Sequence, residues 1–126
     1  GNLGAPPTLQ LGAAGNIGGG VFEIAKLHAF TLQSQIYTAN RTGALGDTGK
    51  YIVMTGSSLT YTLIANASLG AHVTILSGST NAVTVTATGG KTINGGSANG
   101  SITVAGYNGV TLICIDASNN WLALGV

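Results

Sequence analysis

Apolar and polar positions along this chain fall mostly into short alternating runs. Lys50 to Met54, Leu59 to Ala65, His72 to Leu76, Ala82 to Thr88, Ser101 to Ala105, Val110 to Asp116 and Trp121 to Leu124 are rich in Val, Ile, Thr and Tyr, with Gly, Ser and Asn clustered between them. Such runs, recurring about every 8–12 residues, predict the strands of a β-sandwich or barrel. In Val83-Thr84-Val85-Thr86 and Ile102-Thr103-Val104 threonine alternates with an aliphatic residue, so a strand there turns one apolar face inward and a threonine face outward. That outer face takes water or another sheet. Asn94-Gly95, Asn99-Gly100 and Asn108-Gly109 suit the positive φ angles of tight hairpin turns. The pattern predicts an all-β chain, either an antiparallel β-sandwich or a barrel or prism-like domain.

Upstream the pattern changes. Leu27 to Gln33 alternates and predicts a further strand, whereas Val21 to Leu27 combines a helical spacing of three with β-branched content and reads as a short helix or a strand. Residues 1–20 hold seven glycines and both prolines, with apolar residues at intervals. A flexible Gly-rich linker is normally polar. Here the spaced leucines and Pro6-Pro7, a pair that favours extension, predict an extended N-terminal arm laid on a partner through Leu3, Pro6, Pro7, Leu9, Leu11 and Ile17. The chain then divides into an arm, 1–20, and a single β domain, 21–126. Gly18, Gly19 and Gly20 lack the GxxxxGK[ST] pattern of a phosphate loop and read as a joint. Gly1-Asn2-Leu3-Gly4 has neither the basic nor the apolar region of a secretory signal; loss of an initiator Met before Gly1 would make this a complete short protein, while a fragment of a longer fibre would look the same.

Composition sharpens this reading. Of the 126 residues 44% are hydrophobic, an ordinary share, but only 6% are charged, against roughly 25% in a typical soluble domain. The surface must be built of Thr, Ser, Asn and Gly, which do not repel copies of the same chain. The net charge is +1, and Lys26, Arg41, Lys50 and Lys91 are scattered singly, without the basic stripe that a nucleic-acid partner requires. The longest apolar stretches fall far short of the roughly 20 residues of a membrane-spanning helix, so no membrane partner is expected.

Candidate chemistry is sparse. The acids are Glu23, Asp47 and Asp116, and His28, His72 and Cys114, with two lysines and the arginine near them in sequence, complete the set of reactive groups. Glycoside cleavage needs two carboxylates facing each other across the bond, and three scattered acids make that a minor alternative; the expectation is no enzyme activity, no catalytic residue and no cofactor. His28 and His72 have no further ligand at metal-binding spacing, so no metal is expected unless three copies each place one His on a shared axis. Cys114, between Ile113 and Ile115 and with no basic neighbour, reads as a small buried residue rather than a reactive thiol. Trp121 with Tyr37, Tyr51, Tyr61 and Tyr107 offers a sugar-stacking platform, against the alternative that Trp121 seals the core.

Four stretches carry a family likeness: Leu59-Thr60-Tyr61-Thr62-Leu63, Val83-Thr84-Val85-Thr86-Ala87, Lys91-Thr92-Ile93-Asn94-Gly95, and Val110-Thr111-Leu112-Ile113-Cys114 followed by Asp116-Ala117-Ser118-Asn119-Asn120-Trp121. With them, residues 59–126 resemble the β-rich domains of bacteriophage tail fibres, head fibres and capsid decoration proteins; the first 58 residues show no such likeness. The closing strand, a turn of Asp and Asn, an aromatic residue and a last short strand are similar to the ending of those phage domains. The resemblance implies a homotrimer, and a small core without a disulfide agrees in direction, because association adds buried surface and covers strand edges.

Two functions are therefore expected. The first is a capsid decoration or cement protein of the virion, assembled in the host bacterial cytoplasm, whose arms bind the major capsid protein or another virion protein and stabilise the particle. The alternative is a receptor-binding or fibre module that recognises host glycan through the loops Thr42 to Gly49 and Asn94 to Gly100.

Overall fold

The computed structural model of the chain describes residues 34–125. The arm at 1–20, the undecided element at 21–27 and the strand expected at 27–33 lie outside the described residues.

Among the described residues the elements are β1 (Ser34–Tyr37), β2 (Arg41–Thr42), a 3-10 helix (Leu45–Asp47), β3 (Tyr51–Met54), β4 (Leu59–Thr62), β5 (His72–Ser77), β6 (Val83–Thr86), β7 (Ser101–Val104), β8 (Gly109–Cys114) and β9 (Trp121–Leu124). Every strand expected from residue 50 onward is present, and the described residues are all-β apart from the single 3-10 turn. β1 and β2 were not expected, because Gln35, Tyr37 and Arg41 interrupt the apolar alternation that marks a strand.

The strands form two sheets, one in the order β1-β3-β5-β8-β9 and one in the order β2-β4-β6-β7. Through β6 the chain passes from one sheet to the other at every strand, so that three successive turns of chain each give one strand to each sheet. Successive strands within a sheet are consequently parallel: Ser34 aligns with Tyr51 and Tyr51 with Thr74 in the first, Arg41 with Tyr61 and Tyr61 with Val85 in the second. Only the pairs β5–β8, β6–β7 and β8–β9 are antiparallel.

The expected antiparallel architecture is thus corrected to two mixed sheets. Alternation is blind to strand direction, since Val-Thr-Val-Thr serves a parallel neighbour as well as an antiparallel one. Parallel neighbours need a crossover of a dozen or more residues, commonly a helix; here a strand of the opposite sheet supplies it. The Asn-Gly turns are corrected too. Asn94 and Asn99 do take positive φ, +54° each, but both lie in the long connection between β6 and β7. Asn108-Gly109 leads from one sheet to the other. An Asn-Gly pair fixes local backbone hand, not which strands meet.

Inward positions of both sheets merge in one hydrophobic cluster. Ile52, Met54, Val73, Ile75, Val110, Leu112 and Cys114 come from the first sheet and Leu59, Tyr61, Val83, Val85 and Val104 from the second. Burying each large aliphatic chain contributes roughly 1.5–3 kcal/mol relative to leaving it exposed. Cys114 is buried, as expected. So is Trp121, at the last edge of the cluster. The buried hydroxyl of Ser77 shares its one proton between the carbonyls of Ser79 (3.0 Å) and Asn81 (2.6 Å), so its desolvation is offset.

The free edge of β9 is covered. The Trp121 amide donates to the Thr92 carbonyl (2.9 Å), the Asn94 amide donates to the Trp121 carbonyl (2.8 Å) and the Ala123 amide donates to Asn94 Oδ1 (2.8 Å). A side chain here completes the ladder where backbone has turned away, which removes a template for edge-to-edge pairing. Among the described residues no helix is long and apolar enough to cross a membrane.

Candidate functional site

The arm residues Leu3, Pro6, Pro7, Leu9, Leu11 and Ile17, like Glu23 and His28, lie outside the described residues. Of the reactive groups that are described, the two acids stand at opposite ends of the strand order, and each is engaged by its own neighbours.

Asp47 ends the 3-10 helix between β2 and β3 and is buried. Arg41 grips its carboxylate with two prongs, Nη2 to Oδ1 at 2.7 Å and Nε to Oδ2 at 3.3 Å. The Tyr61 hydroxyl donates to Oδ2 at 2.8 Å and the Ala44 amide at 3.4 Å. Arg41 also lies over the Tyr37 ring, 4.7 Å from its centre, within cation–π range, and Tyr37 donates its hydroxyl to Gln35 Oε1 at 2.5 Å. Burial by itself would raise the Asp47 pKa, but the bonds from Arg41 and Tyr61 outweigh it and hold the carboxyl below the usual aspartate range. Burial, reinforced by Asp47, pushes Tyr61 well above the ordinary tyrosine value, and the bond to Asp47 raises Arg41. At neutral pH the cluster is therefore an ionised, mutually neutralised pair with a protonated tyrosine donor. It ties β1, β2 and β4 together. Gly43 makes room for it: a Cβ there would lie 2.6 Å from Tyr61 Oη and 2.9 Å from the Thr62 carbonyl oxygen.

Asp116 opens the turn between β8 and β9. Its Oδ1 accepts the backbone amides of Ser118 and Asn120, each at 3.0 Å, and its Oδ2 accepts the Asn120 side-chain amide at 3.1 Å. The Asn120 backbone and side-chain bonds lead in holding this carboxyl below its usual range. Asn120 in turn accepts from the Thr92 amide (3.0 Å) and hydroxyl (3.2 Å), and Asn119, with φ at +64°, donates its side-chain amide to the Ala67 carbonyl. The Asp-Asn-Asn ending noted in the sequence is a self-contained clamp on the loop that covers β9.

The aromatic residues are not gathered into a sugar platform. Trp121 and Tyr61 are core, Tyr37 is half-buried beneath Arg41, and Tyr51 and Tyr107 are exposed at separate places. Of the two loops read as glycan contacts, 42–49 is bonded to the sheets by the Gly43 amide to the Thr62 carbonyl and the Gly49 amide to the His72 carbonyl. The exposed polar tip is 94–99. Among the described residues no group of three or more His, Cys, Asp or Glu gathers as a metal site.

The larger features are the outer faces of the sheets. Across the four-stranded sheet the register lines up Thr60, Thr84 and Thr103 in one row and Thr42, Thr62, Thr86 and Ser101 in the next. Across the five-stranded sheet one row is Ile36, Val53, Leu76 and Gly109, and a second is Ser34, Tyr51, Thr74, Thr111 and Leu124. A third is His72, Ile113 and Leu122. No carboxylate, lysine or arginine stands in any of these rows. The threonine face was legible in the sequence, whereas the apolar one was not singled out. Its signal is that Tyr51-Ile52-Val53-Met54, Leu112-Ile113-Cys114 and Trp121-Leu122-Ala123-Leu124 are apolar at both parities, the pattern of strands covered on two sides.

No protein-family model matches this chain, and no curated protein is significantly similar to it.

Proposed function

We propose that this chain is a non-enzymatic structural protein of a bacteriophage particle, a capsid decoration or cement protein that trimerises and holds the capsid through its N-terminal arm. The observation that carries the reading is the distribution of charge: Asp47, Arg41 and Asp116 are engaged in closing the fold, and both outer sheet faces are free of charged residues. Such a surface suits close packing among identical neighbours. The likeness of residues 59–126 to phage fibre and decoration domains supplies the setting, and two sheets sharing one core support a sandwich as the scaffold. The mechanism is mechanical: apolar burial beneath the arms contributes on the order of 25 cal/mol per Å² before ordering costs, and three arms on one trimer gain avidity because the later ones bind intramolecularly.

The test is to mix the full chain with undecorated phage capsids and to heat them with and without it. Binding with a raised capsid melting temperature supports the cement reading, and a variant lacking residues 1–20 should remain trimeric yet fail to bind. Decoration retained without those residues sinks the arm. The exposed polar tip at 94–99 favours one second reading, a receptor-binding fibre module; adsorption to host cells or their polysaccharide, without capsid binding, selects it.

A further inference from the structure

We infer that the outer face of the five-stranded sheet is the surface through which copies of this chain pack on one another. This rests on the self-associating reading above and assigns it a place. Ile36 is 70% exposed, Leu124 49% and Leu122 39%; the register sets Ile36 in a row with Val53 and Leu76 and Leu122 in a row with Ile113, while Leu124 ends the row of Tyr51, Thr74 and Thr111 that runs between those two. Contiguous apolar surface of this kind marks interaction sites. The polar row between them is already prepared for cover: the Thr74 and Thr111 hydroxyls bond each other at 2.9 Å, so neither loses its only partner when water leaves. At Gly109, Leu76 lies across the strand where a side chain would otherwise stand, its Cδ2 2.4 Å from the position of an added Cβ.

The occupant is a second copy because of charge and size. A charged partner would find no carboxylate, lysine or arginine in these rows to pair with, whereas an identical apolar face leaves no charge unpaired. The whole chain carries only four basic and three acidic residues, so copies do not repel. Strands about 4.8 Å apart with residues about 3.3 Å apart give a face of roughly 400 Å², about half of what each partner buries in a standard stable complex. Association through it is accordingly weak and concentration-dependent unless further contacts join in.

Sedimentation equilibrium on the full chain, from about 1 µM to 1 mM, the range implied by so small an interface, tests this. The unaltered chain should gain mass with concentration. The double variant Ile36→Lys, Leu124→Lys, at opposite edges of the face, should weaken association at least ~100-fold with an unchanged far-UV spectrum. The control Thr62→Lys, Thr84→Lys, on the threonine face, should associate as the unaltered chain does. Association that survives the first pair but fails with the second overturns the face while the self-associating reading stands. A chain that stays monomeric throughout overturns both.

Discussion

The two ends of the strand order are closed by different chemistry. Where β1 and β2 lie, the inward positions are Gln35, Tyr37 and Arg41, and order comes from the Arg41–Asp47 pair with Tyr61 beneath it. At the other end Trp121 and Ala123 are buried under β9, and the segment around Ile93 lies along the edge. Inward charge is one way a sheet protects an edge from pairing, and it makes that edge answer to pH. Apolar cover does not, but it rests on one large side chain. The same fold thus has a titratable end and a greasy end.

The greasy end should give the largest single effect. Trp121 is fully buried against the core, so Trp121→Ala should lower unfolding stability by about 3–5 kcal/mol in a denaturant titration. A loss under about 1 kcal/mol, the range of a surface change, would mean that the backbone and side-chain hydrogen bonds between β9 and residues 92–94, not burial, hold this end.

At the titratable end Asp47→Ala should cost about 2–4 kcal/mol, because Tyr61 keeps a buried hydroxyl without its acceptor. The lower part of that range applies if Arg41, 28% exposed, turns out to water. Tyr61→Phe removes one bond and should cost about 1–2 kcal/mol.

The pH dependence separates the ends further. Asp47 has a folded pKa below its unfolded value, so its contribution is present above about pH 4, the ordinary aspartate value, and is lost as pH falls through the folded pKa. Tyr61 has a raised folded pKa; its contribution is complete below about pH 10 and is lost as pH climbs beyond that. Amide exchange, extrapolated to both extremes, should therefore show β2 and β4 opening before β8 and β9. Asp47→Asn should flatten the acid limb, leaving the smaller part that Asp116 supplies in the same direction. Equal opening of both ends at acid and alkaline pH would erase the distinction.

Much of the greasy end was readable in advance and little of the titratable one. Val110 to Asp116 and Trp121 to Leu124 announce strands by their β-branched and aromatic content, Cys114 reads as core, sealing the core was one of the two readings open for Trp121, and the Asp-Asn-Asn turn is visible as turn chemistry. Val83-Thr84-Val85-Thr86 gave its buried and outward faces directly. Gln35, Tyr37 and Arg41 have no apolar alternation, so β1 and β2 depend on tertiary contacts: a parallel neighbour a full turn of chain away and a carboxylate from the next corner. One hint was present, since Arg41 and Asp47 are opposite charges close together in a chain with few of either. Strand direction was not legible at all, because the chain's return through the opposite sheet leaves no local mark.

The finest test of the comparison is Asn120→Ala. This side chain is the polar element of the greasy end: it accepts twice from Thr92 and donates to Asp116, all without ionising. Its loss should cost about 1–2 kcal/mol, less than either larger change because Asp116 keeps the backbone amides of Ser118 and Asn120 and the Thr92 groups can reach water. What distinguishes it is the shape of the pH profile. Stability should drop by nearly the same amount from about pH 5 to 9, a range in which neither Asp47 nor Tyr61 titrates. The acid limb should persist, since Asp47 is untouched. If Asn120→Ala instead abolished the acid limb, the Asp116 turn rather than the Asp47 cluster would be the pH-sensitive element, and the two ends would have to be exchanged.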